Sequence, residues 1–379
     1  EAPADHAVSL SFSGFLSVTA CRLPSRAAVA MHQGGRAGGK ATVLEVALSH
    51  DGPAGTAGWQ PEPLRLCARP GPRVRRFLSA CSAPLHNAQR MHRLHPFLVE
   101  DWLNYHFLIG IEHFTIFDTD GSYEPYLRRF VDQGLVTYHA RWPATLLPKL
   151  GLVSEAVKPA DRRPMLTEPQ ALDACVWAER QHSDWVAVLH SFEEYLHSPL
   201  LAKAVAAASA VKEDAGGAAA RAATPLAGLL RGWAAEAPPG VALFEIFQEP
   251  MGGPRRLPRS RSVLSTWTYS RGDVLAGKKG RQLVEAAHNH MRPFAWIVDP
   301  LNVIHTAVHL AQPRAEGQAI VALPSEKLRV NHYIDLGSNS SRCLRELGGC
   351  EVLDKGLLWA EHKVVQMRRR PARARRDIN

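Results

Sequence analysis

The 379-residue chain is 46% hydrophobic and 21% charged, the composition of a globular protein with length for one large core or two ordinary ones. Its formal charge is +9, but Arg368 to Asn379 holds six arginines and one aspartate, or +5, leaving +4 for the rest. With no zinc-finger spacing and no RNP-like aromatic motif beside it, that arginine run reads as a solvated tail, and no nucleic-acid partner is expected.

Residues 1–75 read as an appended region. They contain strand-like pieces at Val8 to Phe12 and Thr42 to Leu48, and a Gly- and Ala-rich loop from Gly34 to Gly58. Either a small β-rich unit or a poorly ordered leader fits. From Arg76 the pattern changes to alternating strands and helices. Phe77 to Cys81 is a short apolar strand. Phe97 to Ile109 carries apolar side chains at near-helical spacing, with Trp102 as a core residue and His106 as a structural one. His113 to Phe117 is a buried strand of β-branched and aromatic residues, stopped by the turn chemistry of Asp118-Thr119-Asp120-Gly121-Ser122.

Tyr123 to Gln133 is the next helix, closed by Gly134, and Leu135 to Trp142 the next strand. Glu168 to His182 predicts a helix and Trp185 to Leu189 a buried strand. This alternation implies βαβ units and a mostly parallel sheet flanked by helices, an α/β fold. Leu201 to Gly240 holds 16 alanines and reads as an insertion, partly helical and peripheral to the core, because small side chains offer little area to bury. Val241 to Phe247 and Lys327 to Tyr333 are the later strands. The αβ domain thus spans residues 76–345, followed by an extension over 346–379.

No stretch approaches the roughly 20 apolar residues of a membrane span. The best candidate, Phe107 to Phe117, is cut by Glu112 and His113. The chain opens on Glu1 rather than a methionine, which allows for a signal or membrane anchor upstream. Cys21, Cys67, Cys81, Cys175, Cys343 and Cys350 include no CxxC pair, which argues against structural zinc. They are either disulfide partners in a secretory lumen or buried thiols.

In an open parallel sheet, ligands bind beyond the carboxyl ends of the strands. Two stretches fall there: the Asp118 to Ser122 turn, and His190-Ser191-Phe192-Glu193-Glu194-Tyr195 after Trp185 to Leu189. Both carry carboxylates, so Asp118 and Glu193 are expected on one rim. A divalent cation held there by oxygen ligands can neutralise a diphosphate.

At these residues the chain resembles glycosyltransferase family 92. Glu100 to Ser122, "EDWLNYHFLIGIEHFTIFDTDGS", resembles the family's acidic-Trp, Tyr-His, Gly-hydrophobic and strand-ending D-x-x-S signature. Tyr126 to Pro143 resembles the helix and strand that follow, and Gln170 to Leu196 the segment leading into D-x-D-E-F. Val308 to Leu310 and Leu328 to Tyr333 resemble its C-terminal histidine motifs. The resemblance spans roughly residues 76–345, interrupted by the alanine-rich stretch.

It implies a GT-A-type fold, a UDP-sugar donor such as UDP-galactose, a glycan acceptor, manganese and inversion at the anomeric carbon. It also implies a lumenal location, such as the Golgi, with membrane association through a segment outside this chain. Asp118, Asp120, Ser191 and Glu194 then match the nucleotide-sugar contacts, and Glu193, His332 and His309 the metal ligands. Ser191 departs from the motif, which has aspartate at that position. A neutral hydroxyl binds a cation weakly, so the site has low metal affinity, or uses basic groups, or is non-catalytic and only binds its glycan or nucleotide sugar. The general base is unassigned: Glu245, Glu249 and Asp273 all lie downstream of the donor motif.

Overall fold

The computed structural model describes residues 75–142, 167–214, 224–252, 295–307, 310–333 and 356–369, with shorter pieces at 7–12, 16–21, 43–46, 64–67, 262–266, 269–270, 336 and 352–353. The chain divides into two units, Glu1–Arg75 and Arg76–Asn379. In the first, β1 (Ala7–Phe12) pairs antiparallel with β2 (Leu16–Cys21), and β3 (Val43–Val46) with β4 (Leu64–Cys67).

The second unit is α/β. Its sheet centres on β5 (Arg76–Ser82), which runs parallel to β6 (His113–Asp118) on one side and to β8 (Ser183–Leu189) on the other. Strand β7 (Val136–Ala140) adds in parallel outside β6. The chain therefore steps outward from β5 to β6 to β7, then returns to the far side of β5. Because such crossovers are right-handed, reversing direction puts the connecting helices on opposite faces. The helices α1 (Ala88–Leu94), α2 (Leu98–Ile109) and α3 (Glu124–Asp132) connect β5 to β6 and β6 to β7, and α4 (Glu168–Glu179) precedes β8. Alternation along the strands serves both layers. Leu78, Ala80, Phe114, Ile116, Ala187 and Leu189 pack in the cluster of α2 and α3; Cys81, Phe117, Val186 and Val188 pack with Ala171, Leu172, Cys175 and Val176 of α4.

Beyond β8 the sheet turns mixed. Strand β12 (Ala295–Val298) runs antiparallel between β8 and β10 (Val241–Gly252). The long β10 then serves as a shared spine. Its first half pairs in parallel with β15 (Ala319–Leu323), and Phe247 to Pro250 pair in parallel with β16 (Arg329–His332). Strand β9 (Glu194–His197) lies antiparallel on β16. The hairpin of β13 (Val303–Ala307) and β14 (Leu310–Pro313) is held to α4 by Asp173, which accepts from His305 Nδ1 at 2.7 Å and Thr306 N–H at 2.6 Å. The result is a large, mostly parallel sheet flanked by helices, compatible with a Rossmann-like fold.

Two expectations change. The alanine-rich stretch is not peripheral throughout. It contains α5 (Leu201–Asp214) and α6 (Pro225–Glu236), and Leu226, Leu230 and Trp233 of α6 belong to the main core. The few large side chains are spaced to make one buried face, which the alanine count conceals. Entry into α6 also explains Gly110, which ends α2 at φ +110°: a Cβ there would lie 2.7 Å from Thr224 Cβ. The second change concerns Arg368. It is not part of a solvated tail but sits on α8 (Leu358–Arg369), its side chain 9% exposed, with both Nε and Nη2 on the Asp101 carboxylate of α2. Residues 370–379 lie outside the described residues.

The structure joins Cys81 of β5 to Cys175 of α4, 94 residues apart and both buried. A cross-link closing so long a loop restricts the unfolded chain and contributes about 2–4 kcal/mol. Cys175→Ala should therefore lower the unfolding free energy by an amount of that size, read as a lower urea midpoint, and an unreduced peptide map should contain the Cys81–Cys175 pair. Equal midpoints with and without reductant would show the thiols to be unbridged.

Candidate functional site

Strand order reverses at β5, so the loops after β5 and β8 diverge at the carboxyl rim, the place where open α/β sheets form a ligand crevice. The β6 loop joins them. Asp118 ends β6 and is fully buried. Its Oδ2 accepts from Tyr138 Oη at 2.6 Å and from Tyr123 N–H at 2.8 Å, and its Oδ1 from Asp120 N–H at 3.2 Å. Burial pushes its carboxyl up to about 6, against the pull of the Tyr138 and Tyr123 donors. Partial burial opposes ionisation of Asp120 too, but donors from Ser122 and the Asn87 N–H hold it down at about 2. Asp120 accepts from Asn87 N–H at 2.9 Å and Ser122 N–H at 3.0 Å, while Ser122 Oγ accepts from Ala88 N–H at 2.8 Å. Asp120 thus fastens the β6 turn to the β5 loop, while Asp118 ties the end of β6 to β7 and to the residue preceding α3. Their carboxylates are engaged by the protein itself.

Across β5, the β8 loop presents Glu193. Strands β6 and β8 flank β5 at about 4.8 Å on either side, which brings both loops to the same rim. Tyr123 lies between them: burial and the carboxylates of Asp118 and Glu193 push its phenol up, and its ring meets Phe192 edge-on at 5.2 Å. Glu193 is part-exposed, with Oε2 3.8 Å from His332 Nε2. The other ring nitrogen of His332, Nδ1, is 2.8 Å from Gln248 Oε1, so Nδ1 carries the proton in that bond and Nε2 faces the carboxylate.

His95, between α1 and α2, joins this group. Its pKa is lowered by burial while Glu193 pulls the other way, and Nε2 donates to the Leu336 carbonyl at 3.0 Å. Nothing in the sequence around His95 distinguished it, because its relation to Glu193 is purely spatial.

Ser191 Oγ accepts from Glu193 N–H at 3.2 Å and so shapes the turn. Glu194 points inward, 1% exposed, and receives both the backbone N–H and Nδ1 of His190, at 2.8 and 3.0 Å. Glu193 stands in the turn before β9 with its carboxylate toward His332, whereas the Glu194 carboxylate is taken up by His190. His309 and Asp273 lie outside the described residues. Of the other base candidates, Glu249 stands in the β10 segment paired with β16, in register with Asn331, and Glu245 stands farther back, between Trp296 and Ala322. His106 and Trp102 are fully buried, with His106 Nδ1 on the Trp102 carbonyl at 2.8 Å, and both are core residues.

Among the described residues, no three His, Cys, Asp or Glu side chains gather closely enough to hold a metal alone. Glu193 and His332 provide one oxygen and one nitrogen donor, a set that suits a manganese-like ion only if ligand or water oxygens supply the rest of its shell. A cavity of about 260 Å³ lies elsewhere, between α4 and the β6–β7 edge, lined by His113, His139, Trp142 and Glu179 among others. It includes none of the rim residues. No helix among the described residues is long and apolar enough to cross a membrane. No protein-family model, no curated protein and no solved structure matches the chain.

Proposed function

We propose that the chain is a GT-A-type glycosyltransferase that transfers a hexose, such as galactose, from a UDP-sugar to a glycan acceptor with inversion. The observation that carries the reading is the Glu193–His332 pair, 3.8 Å apart at the carboxyl rim of a parallel sheet, with Gln248 orienting the imidazole. Glu193 and His332 would hold a divalent cation, and such a cation neutralises the diphosphate as the nucleotide leaves. Gln248 fixes which imidazole nitrogen faces the ion. Asp120 holds the β6 turn to the β5 loop and Asp118 holds it to β7, which sets the floor on which a nucleotide would rest. The Cys81–Cys175 bridge supports an oxidising, secretory-lumen setting.

A second reading, a non-catalytic nucleotide-sugar binder, is favoured by Ser191, whose neutral hydroxyl serves its own turn. One experiment separates the two: a UDP-sugar panel read for binding and for UDP release across a manganese titration. Release that depends on manganese is expected, with Gln248→Ala weakening the metal requirement's affinity by roughly 10–100-fold. Ser191→Asp can accept the same Glu193 amide as an Asx turn and adds a second anion, so half-maximal release should need less manganese. Binding without release in both forms supports the second reading, and no binding by any UDP-sugar removes both.

A further inference from the structure

The loop that presents Glu193 is closed by three ionisable side chains from three different elements. His190 follows β8, Glu194 begins β9 and Glu168 begins α4. All are largely buried, with side chains 13%, 1% and 7% exposed. His190 Nδ1 lies 3.0 Å from Glu194 Oε1, and Nε2 lies 3.6 Å from Glu168 Oε1. The Glu194 carboxylate also receives the His190 backbone N–H at 2.8 Å, so it spans both ends of the loop. The intervening residues are pinned as well. The Trp102 indole donates to the Glu194 carbonyl at 2.6 Å, and Tyr333 N–H donates to the Glu193 carbonyl at 2.8 Å.

A neutral imidazole has one N–H and one lone pair, and would turn the lone pair toward one of the two carboxylates. Only the imidazolium satisfies both.

We propose that His190, as an imidazolium between Glu194 and Glu168, is a positioning residue that locks the 190–194 loop to α4 and thereby fixes where Glu193 stands. Among the described residues, the charged groups facing it are Glu194 on β9 and Glu168 on α4. Burial alone would lower its pKa, but the two carboxylates outweigh burial and raise it. The sign follows. Stabilisation from His190 is fully present below the ordinary imidazole value of about 6.5 and is lost as pH climbs through the raised one. The clasp is whole in a mildly acidic lumen and loosens in alkali.

This inference goes beyond the glycosyltransferase reading and is tested on the ligand-free protein, so either can fail alone. Nuclear magnetic resonance of His190 should give a titration midpoint above 6.5, and Glu168→Gln should lower that midpoint by removing one facing anion. His190→Ala should speed amide exchange at Glu193 and Glu194 by about tenfold or more while β5 and β6 keep their protection. Adding Glu168→Gln to His190→Ala should raise the melting temperature over His190→Ala alone, since two bare buried carboxylates become one. A role in packing alone would not produce that rescue. A His190 midpoint at or below 6.5, or a midpoint that Glu168→Gln leaves unchanged, overturns the proposal. Should His190→Ala fail to fold, the Glu168→Gln titration decides by itself.

Discussion

Arg368→Ala is expected to destabilise the protein by about 3–5 kcal/mol, because it strands a buried carboxylate. Asp101 is 1% exposed on α2, and its partners are the Arg368 guanidinium and the Ser262 hydroxyl, which donates at 2.6 Å. Burial raises the Asp101 pKa even with Arg368 bonded to it. The ion pair thus reduces the desolvation cost without cancelling it, and removing the arginine exposes the whole penalty. Two consequences follow. The deficit should shrink on acidification, since a carboxyl with a raised pKa sheds its charge as pH falls through that value. It should also shrink when Asp101→Asn accompanies Arg368→Ala, because the amide can still accept from Ser262 and carries no charge. Urea unfolding at two pH values measures both. If the double variant is no better than the single, the loss comes from the guanidinium stacked 4.2 Å over Phe97 and the docking of α8, rather than from the bare charge.

Trp233→Ala should cost about 3–5 kcal/mol, and Leu230→Ala about 2–5 kcal/mol, the usual range for large side chains removed from a packed core. Trp233 is 6% exposed and Leu230 fully buried, and Arg231 between them stacks 4.3 Å over Phe77 of β5. Replacing Ala204 to Ala237 by a short linker removes that whole face and should abolish the cooperative thermal transition. Retention of most of the melting temperature would mean that α6 covers the core without holding it.

The central sheet was legible because its strands are short, apolar and stopped by strong turn residues. Phe77 to Cys81, His113 to Phe117 and Trp185 to Leu189 all fall within observed strands, and the helix read from Phe97 to Ile109 begins one residue later, at Leu98. The mixed half was less so. Strands β9 and β12 are four residues each and owe their form to partners far away in the chain, a tertiary effect that local pattern does not carry. The alanine-rich stretch misled because composition averages over 40 positions, whereas α6 depends on the spacing of three.

In the site, the rim position of Glu193 followed from strand ends, but the inward turn of Glu194 did not, since it depends on where β9 starts. Arg368 and Asp101 are separated by 267 residues, and no local signal links them. His190 was legible only as a neighbour of the motif, because its partner Glu168 lies in another element.

The double pairing of β10 makes backbone register the ruler of the rim. Leu243 to Ile246 are fixed against β12 and β15, and the same strand continues into Phe247 to Pro250 against β16, where Pro250 stands opposite His332. The backbone positions from which Gln248 and His332 meet are therefore counted in peptide units from the core. A one-residue slip of β16 against β10 would put either the buried Asn331 or Tyr333 in the place of His332, turning the imidazole to the other face of the sheet. The pairing of β16 with β10 and β9 is thus as much a part of the rim's chemistry as the identity of the histidine.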